Sequence, residues 1–195
     1  SFIKSIVQNG DVMLFKGSNR IGLDETIKEL QDIKEHKYKS STIDINITAY
    51  IPDKWVGSKE QKILEYKRLS DAKTDGELDE IIAGWKDRFS KLEEPVENLI
   101  KLVRLKMLAT NAGITSVRET DNGIRLYSPY SEAELRLILR RIKSKNLIKL
   151  VKLPKVCNDG DYVMIFNNSH LNFNEIFNML SDLFYDISGV ISEYK

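Results

Sequence analysis

With 195 residues, the chain is long for one domain and short for two, so one domain with an appended arm is expected. Hydrophobic residues make up 42% and charged residues 30%, a balance that supports a buried core and argues against disorder; 30 basic and 29 acidic side chains leave a net charge of +1. No run reaches the roughly 18 apolar residues of a membrane-spanning helix, so a water-soluble protein is expected, with no membrane partner.

The first residues, Ser1-Phe2-Ile3-Lys4-Ser5-Ile6-Val7, lack both the apolar length and the cleavage pattern of a secretory signal, and the absent initiator methionine fits a fragment. Asn9-Gly10 between Phe2–Val7 and Val12–Phe15 suits a tight hairpin turn. Gly17 to Gly22 reads as a linker, which makes residues 1–22 an arm and 23–195 the domain proper. Lys16-Gly17-Ser18-Asn19 lacks the second glycine and the following lysine of a phosphate-binding loop and reads as a turn. Leu23, Ile27, Leu30 and Ile33 make a helical stripe over Leu23–Glu35.

From Ser41 to Thr48, Ile43, Ile45 and Ile47 alternate with polar residues, the pattern of a strand with one buried face. Pro52 then forces an extended exit. Three helices follow. Ser58 with Gln61 and Thr74 with Glu77 are start signals of the capping-box type, and Pro95 suits a first helical turn. Their expected buried stripes are Ile63, Tyr66 and Leu69; Leu78, Ile81, Ile82, Trp85 and Phe89; and Val96, Leu99, Ile100, Val103 and Met107. Gly113 is placed to end the third helix.

The second half changes rhythm. Ile114–Glu119 and Gly123–Tyr127 flank Asp121-Asn122-Gly123 as a second hairpin. Ser131 with Glu134 opens a helix to about Lys143. Leu147–Val151 and Tyr162–Phe166 read as strands, and Asn172 with Glu175 opens a last helix with Ile176, Leu180, Phe184 and Ile187 on its apolar face. The fold class is therefore α+β: a helical block (23–112, mainly helical with one strand) and a small antiparallel sheet covered by helices (113–195).

Chemistry-bearing residues are sparse. Cys157 is the single cysteine, which rules out an internal disulfide and points to a reducing cytoplasm. His36 falls in a charged helix end and His170 in a polar turn, and with one thiol they cannot build a closed zinc site. No catalytic motif or dinucleotide fingerprint occurs, so no cofactor, metal site or catalytic residue is expected.

Six strings stand in order between residues 49 and 114: Ala49-Tyr50-Ile51-Pro52-Asp53, Glu65-Tyr66-Lys67-Arg68-Leu69, Glu77-Leu78-Asp79-Glu80, Asp87-Arg88-Phe89, Pro95-Val96-Glu97-Asn98-Leu99 and Ala112-Gly113-Ile114. Together they resemble the C-terminal domain of bacterial transcription-repair coupling factors. The resemblance implies a part in transcription-coupled nucleotide excision repair. The whole factor in that family is an ATP-driven DNA translocase that displaces stalled RNA polymerase. Its motor motifs are missing here, so this chain is not expected to hydrolyse ATP. The family's C-terminal domain folds back on an excinuclease-B-like N-terminal module and masks the surface that recruits the excinuclease A subunit. Acidic residues near the Asp-Arg-Phe string meet arginines on that module; Asp87 matches such a position, and Glu80 lies seven residues earlier on the same helical face. The sequence departs from the family at Gly84, where a glutamate is usual, and at Ser90, where a glycine is usual.

A rival reading rests on charge placement. Residues 135–158 hold no acidic side chain but carry Arg136, Arg140, Arg141, Lys143, Lys145, Lys149, Lys152 and Lys155. Such a tract is the footprint of phosphate contacts, yet it lacks an aromatic residue to stack on a base. Docking of an acidic partner, or of the acidic patch of another copy, is a third reading.

Overall fold

The computed structural model describes residues 40–156, 162–167 and 170–193. The expected hairpin Phe2–Phe15, the linker 17–22, the helix Leu23–Glu35, His36 and Cys157 lie outside these residues, as does the side chain of Lys155.

Along the chain the elements are β1 (Thr42–Asp44), a 3-10 turn (Asp53–Trp55), α1 (Lys59–Asp71), α2 (Asp75–Phe89), α3 (Glu94–Asn111), β2 (Ser116–Thr120) and β3 (Gly123–Ser128). They continue with α4 (Glu132–Arg141), the single turn α5 (Lys145–Ile148), β4 (Val151–Val156), β5 (Tyr162–Phe166) and α6 (Phe173–Ser192). The class is α+β, as the sequence pattern implies. Start signals act where they were read. The Ser58 and Thr74 side chains accept from the Gln61 and Glu77 backbone N–H groups. Here the return bonds reach one residue further back, from Gly57 N–H to Gln61 and from Lys73 N–H to Glu77. Ser131/Glu134 and Asn172/Glu175 form complete capping boxes.

Five strands form one sheet in the order β1-β2-β3-β5-β4. The sheet is mixed rather than wholly antiparallel, because β1 runs parallel to β2 with Thr42 opposite Ser116. A parallel pair needs a long crossover, and α1, α2 and α3 together supply it. Only three residues of the expected strand Ser41–Thr48 join the ladder. Its alternation nevertheless holds, with Ile43, Ile45 and Ile47 half-buried and their polar neighbours exposed. Beyond β1 the extended chain is stitched to the helices: the buried Asn98 amide donates to the Thr48 carbonyl at 3.1 Å, and Ile51 N–H donates to the Tyr66 hydroxyl at 2.9 Å.

Two sequence readings are corrected. Leu147–Val151 is not a strand; Lys145–Ile148 makes one helical turn and β4 begins at Val151. A single turn is too short to display a 3.6-residue period, so its apolar residues mimic strand alternation. Ile63 is not buried in the α1 stripe but is 66% exposed, and Leu64 is 58% exposed. Helix α1 touches the block chiefly through Tyr66 and Leu69.

Two cores result, and α3 belongs to both. Val96 and Ile100 join Ile51, Leu78, Ile82 and Trp85 in the helical block. Leu105 and Ala109 enter the sheet core with Leu126, Phe166, Leu135 and Phe184. At its end, Ile114 N–H bonds to the Ala109 carbonyl and Gly113 N–H to that of Thr110. These are the two bonds of a Schellman cap, closed by Gly113 at φ +68°.

Candidate docking face on the second helix

Helix α2 buries Leu78, Ile81, Ile82 and Trp85. Seven residues are nearly two turns, so Glu80 and Asp87 stand on one face roughly 10 Å apart along the axis. Both are exposed. Among the described residues neither carries a side-chain hydrogen bond or an ion pair.

The neighbouring polar groups are engaged inside the domain. Asp79 pairs with Arg104 of α3, and Glu77 accepts from the Lys73 backbone. Arg88 reaches Glu65 of α1 at 3.3 Å. The same Glu65 carboxylate, 14% exposed, accepts from the buried Trp85 indole N–H at 3.0 Å and pairs with Arg68 at 3.2 Å. Phe89 stacks on Trp55 with centroids 4.2 Å apart and planes 10° from parallel. Of the Asp-Arg-Phe string, therefore, arginine and phenylalanine tie α2 to the block while aspartate faces solvent. Asp87 does not pair with Arg88, because Arg88 is turned toward Glu65. The Glu65 bridge was not foreseen from the sequence, since its partners lie 20 and 23 residues away on another helix.

The two departures at this face have clear local consequences. Gly84 lies between Glu80 and Asp87 in the helix interior, exposed, and a Cβ built there meets nothing within 4 Å. Ser90, the C-cap, holds φ at +58°, a conformation that glycine adopts without strain. Near the start of α1, Lys62 donates to Asp53 at 2.6 Å. That bond holds the Asp53 carboxyl below the ordinary aspartate value and raises Lys62.

The basic tract runs through α4, α5 and β4, in the sheet-bearing part of the fold. Arg136 pairs with Glu132 one turn earlier. Arg140, Arg141, Lys143, Lys145, Lys149 and Lys152 are all exposed. Lys145 donates to the Arg140 carbonyl at 3.2 Å. Ile142 and Leu147 of the same tract are buried. His170 is exposed in a turn, and among the described residues no group of acidic, histidine or cysteine side chains is arranged to hold a metal ion. No helix among them is long and apolar enough to cross a membrane.

Residues 45–138 match the family described as the TRCF domain. This segment is a TRCF domain. The matched stretch encloses Glu80, Asp87 and the whole Glu65 network, but it ends inside α4, so Arg140, Arg141, Lys143 and Lys145 lie beyond it. Curated relatives of the chain include the transcription-repair-coupling factor of Staphylococcus haemolyticus, 29% identical over 106 residues, or 53% of this chain and 9% of that protein. The transcription-repair-coupling factor of Buchnera aphidicola is 23% identical over 148 residues, covering 75% of this chain and 18% of its own length. The chain thus spans less than a fifth of either relative. In fold, the chain is similar to a crystal structure of the C-terminal domain of transcription-repair coupling factor. The TM-score is 0.63 at 18% identity, covering 82% of this chain and 99% of that one.

Proposed function

We propose that this TRCF domain is a non-catalytic docking element of a transcription-repair coupling factor. Its exposed α2 face would contact an excinuclease-B-like module of the same protein and hold it in an autoinhibited state. In that state the module's surface for the excinuclease A subunit is covered. The ATP-driven translocation of the whole factor belongs to other modules.

One observation carries this reading. Glu80 and Asp87 are two carboxylates on one helical face with no partner among the described residues, while Asp79, Arg88 and Phe89 around them all have one. Exposed, unpaired charges of one sign on a rigid helix are suited to steer and orient a basic partner surface. A rim ion pair contributes only about 0–1 kcal/mol, so the contact needs apolar area as well.

Calorimetric titration of the chain against the excinuclease-B-like module tests the proposal. Saturable binding is expected, weakened about tenfold or more when Asp87→Arg and Glu80→Arg turn two attractions into repulsions, tenfold being about 1.4 kcal/mol. Unchanged affinity in the double variant would remove α2 from the interface. No binding by the parent chain would remove the docking role itself.

A further inference from the structure

Helix α4 has two faces of unlike character. Leu135, Ile138 and Leu139 enter the sheet core, while Arg136 and Arg140, one turn apart, are exposed. After α4 the chain turns sharply, with Ile142 buried and the Ser144 N–H donating to Asp186 of α6 at 3.1 Å. The single turn α5 then brings Lys145 back against the end of α4, and β4 starts at Val151. Between these elements lies a groove of about 360 Å³. Arg136, Arg140 and Lys145 form its sides, and Leu139, Ile148 and Val151 its floor.

We infer that this groove docks an acidic segment of a partner protein that carries an aliphatic anchor residue. Four observations select that ligand. Of the cations lining the groove, Arg140 and Lys145 are exposed without an ion pair among the described residues, so its sides offer positive charge that a carboxylate-rich chain would neutralise. The floor is aliphatic, and burying an aliphatic side chain there removes apolar surface from water, a gain that a sugar-phosphate backbone does not provide. Among the described residues no aromatic side chain lines the groove, which leaves base stacking, the usual anchor for single-stranded nucleic acid, without a platform there. The volume also falls at the small end of ligand pockets, suited to one or two inserted side chains rather than a duplex. This site is separate from the α2 face and does not depend on the docking role proposed for it.

Fluorescence anisotropy of the full chain with three labelled probes tests the inference: a short Glu/Asp-rich peptide bearing two leucines, the same peptide with both leucines replaced by serine, and a duplex DNA. The leucine peptide is expected to bind, the serine peptide about tenfold more weakly, and the combination Arg140→Glu with Lys145→Glu to lose about tenfold, each step equivalent to about 1.4 kcal/mol. Both substituted side chains are exposed, and circular dichroism checks that the variant stays folded. Asp87→Arg is expected to leave peptide affinity unchanged. DNA binding as tight as peptide binding, with a steep salt dependence, would overturn the inference in favour of a phosphate surface. Indifference to the leucines, or self-association that disappears in the double variant, would overturn it as well, as would no binding of the leucine peptide.

Discussion

Replacing Gly113 by alanine should be among the most damaging single-carbon changes available in this fold. Gly113 ends α3 at φ +68°, and a Cβ added there would lie 2.0 Å from the Tyr130 hydroxyl oxygen and 2.7 Å from the ring carbon that bears it. Two costs combine. A left-handed backbone penalises an L side chain by about 1–2 kcal/mol, and forcing a carbon into a packed interior costs about 1–3 kcal/mol. Tyr130 is fully buried in the sheet core, so its ring can yield only by displacing packed neighbours. The sum, about 2–5 kcal/mol, is a large share of the 5–15 kcal/mol that holds a typical domain together. At about 2–4 °C per kcal/mol for a chain of this size, the melting temperature should fall by roughly 4–20 °C. Urea unfolding and calorimetry measure both quantities. Repeating the change in a Tyr130→Phe background removes the nearest atom but leaves the backbone cost, so a double-mutant cycle should return about 1 kcal/mol of coupling. Stability within about 0.5 kcal/mol of the parent, the range of an indifferent surface site, would refute both the Schellman geometry and the placement of Tyr130 over it.

Gly84→Ala should stabilise the chain by about 1 kcal/mol in urea unfolding, because the site is helical, exposed and sterically open. Ser90→Gly should also stabilise, by about 1 kcal/mol, by relieving the positive φ at the end of α2; a loss of stability would contradict that backbone assignment. Glu65→Ala should cost about 1–3 kcal/mol, since it strands the buried Trp85 indole N–H and frees Arg88; unchanged tryptophan fluorescence and stability would count against the bridge. In an NMR titration, Asp53 should protonate below the ordinary aspartate value of about 3.9, and Lys62→Met should return it there. The stabilisation from this depressed carboxylate is present above that value and fades as pH falls through the lower folded one. Lys62, being raised, adds its share below about 10.4 and loses it as pH climbs past its higher folded value.

Local signals in the sequence proved dependable where they concern a handful of consecutive residues. The serine, threonine and asparagine caps, Pro95, Gly113 and the Gly123 hairpin all sit where their backbone chemistry dictates. What escaped is information carried by partners distant in the chain. The parallel β1–β2 pair joins residues 74 apart, and the strand pattern of Ile43 to Ile47 says which face is buried but nothing of the neighbour. The stripe rule placed Ile63 inside because it presumes that every apolar stripe finds a partner. For the candidate face, spacing along a helix put Glu80 and Asp87 together. Only the fold reveals that Arg88 is turned inward by Glu65, leaving Asp87 without its nearest cation.

The position of β1 also makes it a mechanical fuse. Among the described residues it is an edge strand, three residues long, and its ladder is supplemented by Ser41, whose N–H reaches the Thr110 hydroxyl at 3.0 Å and whose hydroxyl donates to the Ile114 carbonyl. Among the described residues, a pull applied at Ser40 therefore meets this short seam first, while the four remaining strands and α6 lie behind it. Peeling β1 away would also break the Asn46 N–H bond to Glu119 and lift Ile43 and Ile45 off the sheet core, while the ladders from β2 to β4 stay paired and the Asn98 bond still holds the chain at Thr48. Tension from the N-terminal side would thus lengthen the attachment before it unfolded what is attached.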